Sequence, residues 1–169
     1  MSRQPERDHP SPVLSAERVR EILISCNAEM GAAGGAIGGA VGGSLAGGGL
    51  AGAAGARGGS SGGRLGGRLG ARWFTRVLGQ TLTLPIPRSS ESLTAARGLL
   101  RQELPSAEEA AVIGLMGTGW LNMNTAVVQL IWRRNRVEVT AHALEGLINQ
   151  RSVPKALAAI DRALRAAGR

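Results

Sequence analysis

Few residues in this chain are equipped to do chemistry. It has two histidines, His9 and His142, and one cysteine, Cys26. His142 and Glu145 form an H-x-x-E pair. That spacing holds a metal only when further ligands join it, and no second histidine stands in the same region. His142 falls on the polar side of an alternating segment and reads as a solvated side chain. The run "GLMGTG", Gly114 to Gly119, has the glycines of a phosphate loop but lacks the Gly-Lys-Ser/Thr ending that grips phosphate. The stretch "GTGWLNMN" reads as a tight turn that folds Trp120 onto a core. A single cysteine excludes a disulfide framework and a cysteine zinc site, and Cys26 reads as a small apolar residue on a helix face. No Ser-His-Asp set can be assembled. The expectation is a non-enzymatic protein with no cofactor and no metal.

With little catalytic chemistry present, charge and patterning carry the reading. The 169 residues have a net charge of +8, and Lys155 is the one lysine among the basic residues. A chain this rich in arginine favours anionic partners, either lipid surfaces or nucleic acid. The first thirty residues mix both signs of charge, and the apolar region begins too late for a secretory signal. The chain is therefore expected to start in a reducing cytoplasm.

Residues 1–14 are polar, hold three prolines and read as a disordered tail. Ser15 is placed to cap a helix, with Glu17 in its first turn. Val19, Ile22, Leu23, Cys26 and Met30 follow at helical spacing, an amphipathic helix over 15–30. Its apolar face suits packing on the rest of the chain or lying on a membrane surface.

Between Glu29 and Arg57 there is no charge. Gly31, Gly35, Gly39, Gly43 and Gly47 recur every four residues, and in a helix they make one smooth seam. Ile37, Val41 and Leu45 recur two positions out of phase and project from the other side. Each glycine costs a helix about 1 kcal/mol in water, so the segment needs packing partners or hydrocarbon to stay helical. At about 1.5 Å per residue, residues 31–56 are long enough for a membrane core of about 30 Å. Their few aliphatics insert only weakly, which favours a bundle of such spans over a lone one.

The next stretch carries Arg57, Arg64, Arg68, Arg72 and Arg76 with no acid between them, and Trp73 sits in their midst. Arg64 to Arg76 step by four, so one helix would align them. These residues suit contact with anionic lipid or with nucleic acid. "GGSSGG" in the same stretch has the composition of a flexible linker. A two-span hairpin inside 31–56 is excluded by length. One that also draws on residues 57–80 would bury arginines, and it ranks below a single span.

On Gly31, Gly35, Gly39, Gly43 and Gly47 the segment resembles the glycine-zipper membrane regions of bacterial envelope proteins and of some pore-forming bacteriocins. The resemblance covers about a sixth of the chain. It implies a membrane-inserted helix that self-assembles, in the cytoplasmic membrane of a bacterium. The lipidation signal that such envelope lipoproteins carry is absent. A flexible linker in a cytoplasmic protein is the other reading.

Beyond Pro87 the pattern becomes that of a small folded domain. "TLTLPIP", residues 81–87, reads as an extended connector. Ser89 or Ser90 caps a helix to about Leu104, with Leu93, Ala96, Leu100 and Leu104 on one face and Pro105 at its end. Ser106 and Glu109 have capping-box spacing, while Gly114, Gly117 and Gly119 favour a strand after a short turn. Residues 124–145 alternate about the turn "RRNR", a β-hairpin in which Asn135 suits a positive φ. Ser152 and Pro154 open a final helix that turns Val153, Leu157, Ile160 and Leu164 inward. The expected fold class is α+β: a glycine-rich helix followed by a small domain whose antiparallel sheet is packed by helices. The segments are a tail at 1–14, an amphipathic helix at 15–30, a glycine-zipper segment at 31–56, an Arg/Gly-rich juxtamembrane linker at 57–87 and the domain at 88–169.

The expected function is a membrane-associated interaction protein. It binds anionic lipid, self-assembles as a homo-oligomer, and presents the α+β domain to a protein partner. The alternatives are a membrane-permeabilising protein and a soluble binder of single-stranded nucleic acid, the latter ranking lower as a partner.

Overall fold

The structure, a computed structural model, describes residues 14–119, 124–146 and 150–168. All but the last residue of the polar tail, His9 within it, and the Trp120 turn lie outside the described residues. The chain is α+β: one long helix, then a five-stranded antiparallel sheet with two further helices.

Ser15 caps the first helix as expected, its hydroxyl accepting from the Arg18 backbone N–H at 3.2 Å. Helix α1 runs Ala16–Phe74, 59 residues, and is broken at one point, Gly48, with φ 78° and ψ −165°. A side chain there would be strained, so glycine is required. At Gly48 the chain reverses, and α1 is a hairpin of two antiparallel arms, residues 16–47 and 49–74.

This corrects the single membrane span. No helix among the described residues is long and apolar enough to cross a membrane. The cause lies in composition: glycine gives length without hydropathy, and Arg57 follows the reversal by only two and a half helical turns. The resemblance to membrane glycine zippers fails with it. Residues 57–74, expected as a linker, are the helical second arm, and 76–84 are a strand.

What makes so glycine-rich a hairpin helical is the other arm. A Cβ on Gly31, Gly35 or Gly39 would collide with the backbone carbonyl of Gly63, Gly59 or Gly55 respectively, and one on Gly43 with that of Ala51. The arms meet backbone to backbone. A repeat of four residues exceeds the 3.6 of a straight helix, the kind of mismatch that winds packed helices right-handed. Beside the seam lie Ala32, Ala36 and Ala40 on one arm and Gly52, Ala56 and Ser60 on the other, all buried or half-buried. At the base of the arms the Asn27 amide donates to the Gly67 carbonyl at 2.8 Å. Arginines are not buried in this arrangement, because the second arm faces the first through small residues, and Arg57, Arg64, Arg68 and Arg72 stay exposed.

The sheet has the order β1-β5-β4-β3-β2 and every pairing is antiparallel. Strand β1 is Arg76–Leu84, β2 Gln102–Leu104, β3 Ala111–Thr118, β4 Asn124–Arg133 and β5 Arg136–Glu145. Helices α2 (Ser90–Gly98) and α3 (Ser152–Ala167) cover one face. There Val112, Val128, Leu130, Trp132, Val137 and Val139 pack with Val153, Leu157, Ile160 and Leu164. The hairpin base covers part of the other face, where Val19 and Leu23 are buried against Val127, with Leu115, Leu144 and Val77 around them. The amphipathic stretch 15–30 is thus the foot of the hairpin, docked on the sheet.

Local departures have local causes. "TLTLPIP" is no connector up to Leu84, because Thr81, Thr83 and their neighbours pair with β5. Helix α2 stops at Gly98, and residues 102–104 form the edge strand β2 instead of a last helical turn. The α2 cap is a reciprocal pair between Ser89 and Ser92. Ser106 opens no helix: its hydroxyl accepts from the Glu108 N–H, a turn that leads into β3. In the β4–β5 turn the positive φ falls on Arg134, at 51°, and not on Asn135.

Candidate interaction surface

The hairpin is built inside out. Its contact seam is nearly free of side chains, and its bulky apolar residues point away. Among the described residues, ten large hydrophobic side chains are exposed, and nine of them lie on α1. Ile37 (67 %), Val41 (57 %), Leu45 (86 %) and Leu50 (91 %) crowd the end near the reversal, and Leu65 and Leu69 continue along the second arm. Trp73 and Phe74 close its base. Burial cannot account for these residues within the chain.

A second glycine row sets this surface apart. Gly34, Gly38 and Gly42 precede the seam glycines of the first arm by one residue, and Gly58, Gly62 and Gly66 do so on the second. A Cβ at any of the six would meet open space. Antiparallel arms bring positions of the same offset to the same side: at the offset of plus one, a Cβ on Gly52 would collide with the Ser44 hydroxyl. The offset of minus one therefore forms one broad side of bare backbone. Replacing six exposed helical glycines by alanine would gain about 5–6 kcal/mol of helix propensity, and nothing within the chain opposes the change.

The seam residues Gly31, Gly35, Gly39 and Gly43 are brought together with the second arm, and Gly47 ends the row against the Ala51 side chain. The seam expected to face other copies is occupied by the chain itself. Ala51 and Gly55, which in sequence continue the row, instead begin the facing one, and missing from the sequence reading was the rest of that complement, Gly59, Gly63 and Gly67. The signal was there as a second four-residue glycine repeat, interrupted to the eye by arginines and serines.

The arginines divide into three groups. Arg64, Arg68 and Arg72 each follow a seam position by one residue and form a row, exposed and without an ion pair among the described residues. Arg57 lies on the outer side of the arm with Leu65 and Leu69. Arg76 has left the helix and stands in β1, opposite Glu145 in the register of the sheet. Three open hollows follow one another along the row. The first, of about 330 Å³, lies against Ser60, Ser61, Arg64 and Arg68. The second, of about 430 Å³, lies between Arg68, Arg72, Cys26 and the edge strand β2. The third, of about 540 Å³, lies between Arg72, Trp73 and Arg20. Glu17, Glu21 and Glu29 also line the last two, and Glu21 is paired with Arg18 at 3.0 Å.

The His142 and Glu145 pair does separate, structural work. Glu145 is buried, and its two oxygens accept the backbone N–H groups of Gln150 and Ser152, each at 2.7 Å. It thus satisfies one orphan donor at the start of α3, the Ser152 N–H, and the Gln150 N–H just before the helix. His142, expected to be solvated, is half-buried. Its ring lies across Gly79 of the neighbouring strand, where a Cβ would sit 2.6 Å from Cδ2, and Nδ1 is buried without a partner. Desolvation lowers its pKa below the ordinary 6.5. Burial, with Glu29 nearby, raises the pKa of the Cys26 thiol, so little reactive thiolate forms. Among the described residues no cluster of His, Cys, Asp or Glu could hold a metal ion.

The chain matches no protein-family model, no curated protein and no solved structure.

Proposed function

We propose that this chain is a non-enzymatic assembly protein whose hairpin is the contact element and whose α+β domain is the platform that holds it. The observation that carries this reading is the outward placement of Ile37, Val41, Leu45, Leu50, Leu65 and Leu69 on an element with almost no apolar interior. A hairpin that is small inside and bulky outside leaves its apolar area for another molecule. The bare side at Gly34, Gly38, Gly42, Gly58, Gly62 and Gly66 supports close approach of a second hairpin. The partner is accordingly another copy of the same hairpin. Sedimentation of the full chain should show association that weakens in the variant Val41→Lys/Leu45→Lys at unchanged helicity. An unaltered mass would sink the reading.

A second reading has its own support in the hollows along Arg64, Arg68 and Arg72. A groove of unpaired guanidinium groups ending at an exposed Trp73 suits a single-stranded nucleic acid, held by charge and by stacking. An oligonucleotide titration should give affinity that falls steeply with salt and is weakened in Arg68→Gln/Arg72→Gln. Binding to anionic vesicles in place of the oligonucleotide would transfer the same arginines to a lipid surface.

A further inference from the structure

We infer that strand β1 is a pairing edge for a second copy of this chain, distinct from the hairpin contact. The sheet ends in two strands, and they are treated differently. β2 has three residues, and its Glu103 is paired with Arg97 at 3.2 Å. A short, charged edge is how natural sheets discourage pairing. β1 has none of these protections. It runs nine residues in unbroken register with β5, from Arg76 opposite Glu145 to Leu84 opposite Val137. It holds no proline and no charge between Val77 and Leu84. Leu78, Gly79, Gln80, Thr81 and Thr83 are exposed. Leu78, 45 % exposed, is the one exposed large hydrophobic residue that does not lie on α1, among those described.

A second copy is the occupant because β1 is complementary to itself. Antiparallel pairing about a two-fold axis at Gln80 sets Leu78 against Leu82 of the second copy, twice. It sets Arg76 against Leu84, so the one charge of the strand never meets its like. On the opposite face Val77 meets Thr83. Apolar and β-branched pairs directly across a ladder are the stabilising unit of sheets, and a two-fold contact requires this self-complementarity. The result is a continuous ten-stranded sheet.

The test separates this contact from the hairpin contact by working in the Val41→Lys/Leu45→Lys background. That protein should sediment at twice the chain mass of 17.4 kDa. Adding Gln80→Lys or Gln80→Glu should return it to the single-chain mass, because like charges then face each other across the axis. An equimolar mixture of the two should restore the dimer. Leu78→Lys is the second disrupting variant, and amide exchange along β1 should quicken in each disrupted protein while β4 stays protected. A background protein that is already monomeric overturns the β1 contact and leaves the hairpin reading standing. A dimer that ignores Gln80→Lys and Leu78→Lys overturns it as well. If the Val41→Lys/Leu45→Lys change leaves the wild-type mass unaltered at a dimer that Gln80→Lys dissolves, the hairpin reading fails and the β1 contact stands.

Discussion

Adjacent glycines of the hairpin are under opposite demands, and single methyl groups would expose the difference. Gly35 faces the Gly59 carbonyl, while Gly38, three residues on, faces open space. Gly35→Ala should force the arms apart and cost about 1–3 kcal/mol, the range for overpacking. Gly38→Ala should stabilise the hairpin of a single, unassociated chain by up to about 1 kcal/mol, because within one chain only helix propensity changes. Thermal unfolding followed by helicity would show midpoints moving in opposite directions; a loss at both positions would mean that the open side is not open. Glu145→Ala should leave the Gln150 and Ser152 N–H groups without acceptors and cost about 1–3 kcal/mol, which chemical denaturation can measure. For His142 the sign follows from partial desolvation of the ring, which favours its neutral form. Its folded pKa lies below 6.5, so its contribution is complete above 6.5 and is lost as the pH falls through the folded value. Wild type should therefore lose more stability than His142→Gln on acidification below 6.5, and parallel pH profiles would refute the assignment. The surroundings of His142 were not legible in sequence, where it shows only as a polar position in an alternating strand. Its ring lies in the space left by a glycine on β1 sixty-three residues earlier, a tertiary pairing that alternation cannot reveal.

Elements with a strong local pattern were readable from the chain. Strands β4 and β5 and helix α3 lie where alternation and the Val153, Leu157, Ile160, Leu164 spacing put them. Weakly patterned ones were not. β1 lacks a clean apolar alternation because it is an edge, and β2 is held by pairing with β3 over three residues. The glycine segment was readable as a helix with a packing seam, but the partner of that seam was not. Counting arginines argued against a hairpin, whereas the seam needs only every fourth residue of the second arm. The pairing makes a covalent prediction. Positions 36 and 60 share the flanking offset that brings Ser44 to Gly52. In a Cys26→Ser background, Ala36→Cys/Ser60→Cys should therefore close a disulfide within one chain under mild oxidation. Denaturing electrophoresis should show a faster single-chain band, and cross-linked dimers alone would mean that the arms pair between copies.

At the scale of the molecule, the hairpin stands on the sheet through Val19 and Leu23, and its far end shares no core with the domain. Consider what the seam asks of its own length. The facing positions 31 and 63, 35 and 59, 39 and 55, 43 and 51 are spaced evenly about the reversal. No pair depends on a unique side-chain fit with the next. Removing four residues from each arm, 35–38 and 56–59, would bring the same kinds of neighbour back into register and shorten the hairpin by about 6 Å. Removing two from each would set seam against ridge and should unfold it. Such an element is graduated: evolution can lengthen or trim it in fixed steps, and the distance from sheet to tip can drift among descendants while the domain beneath stays the same.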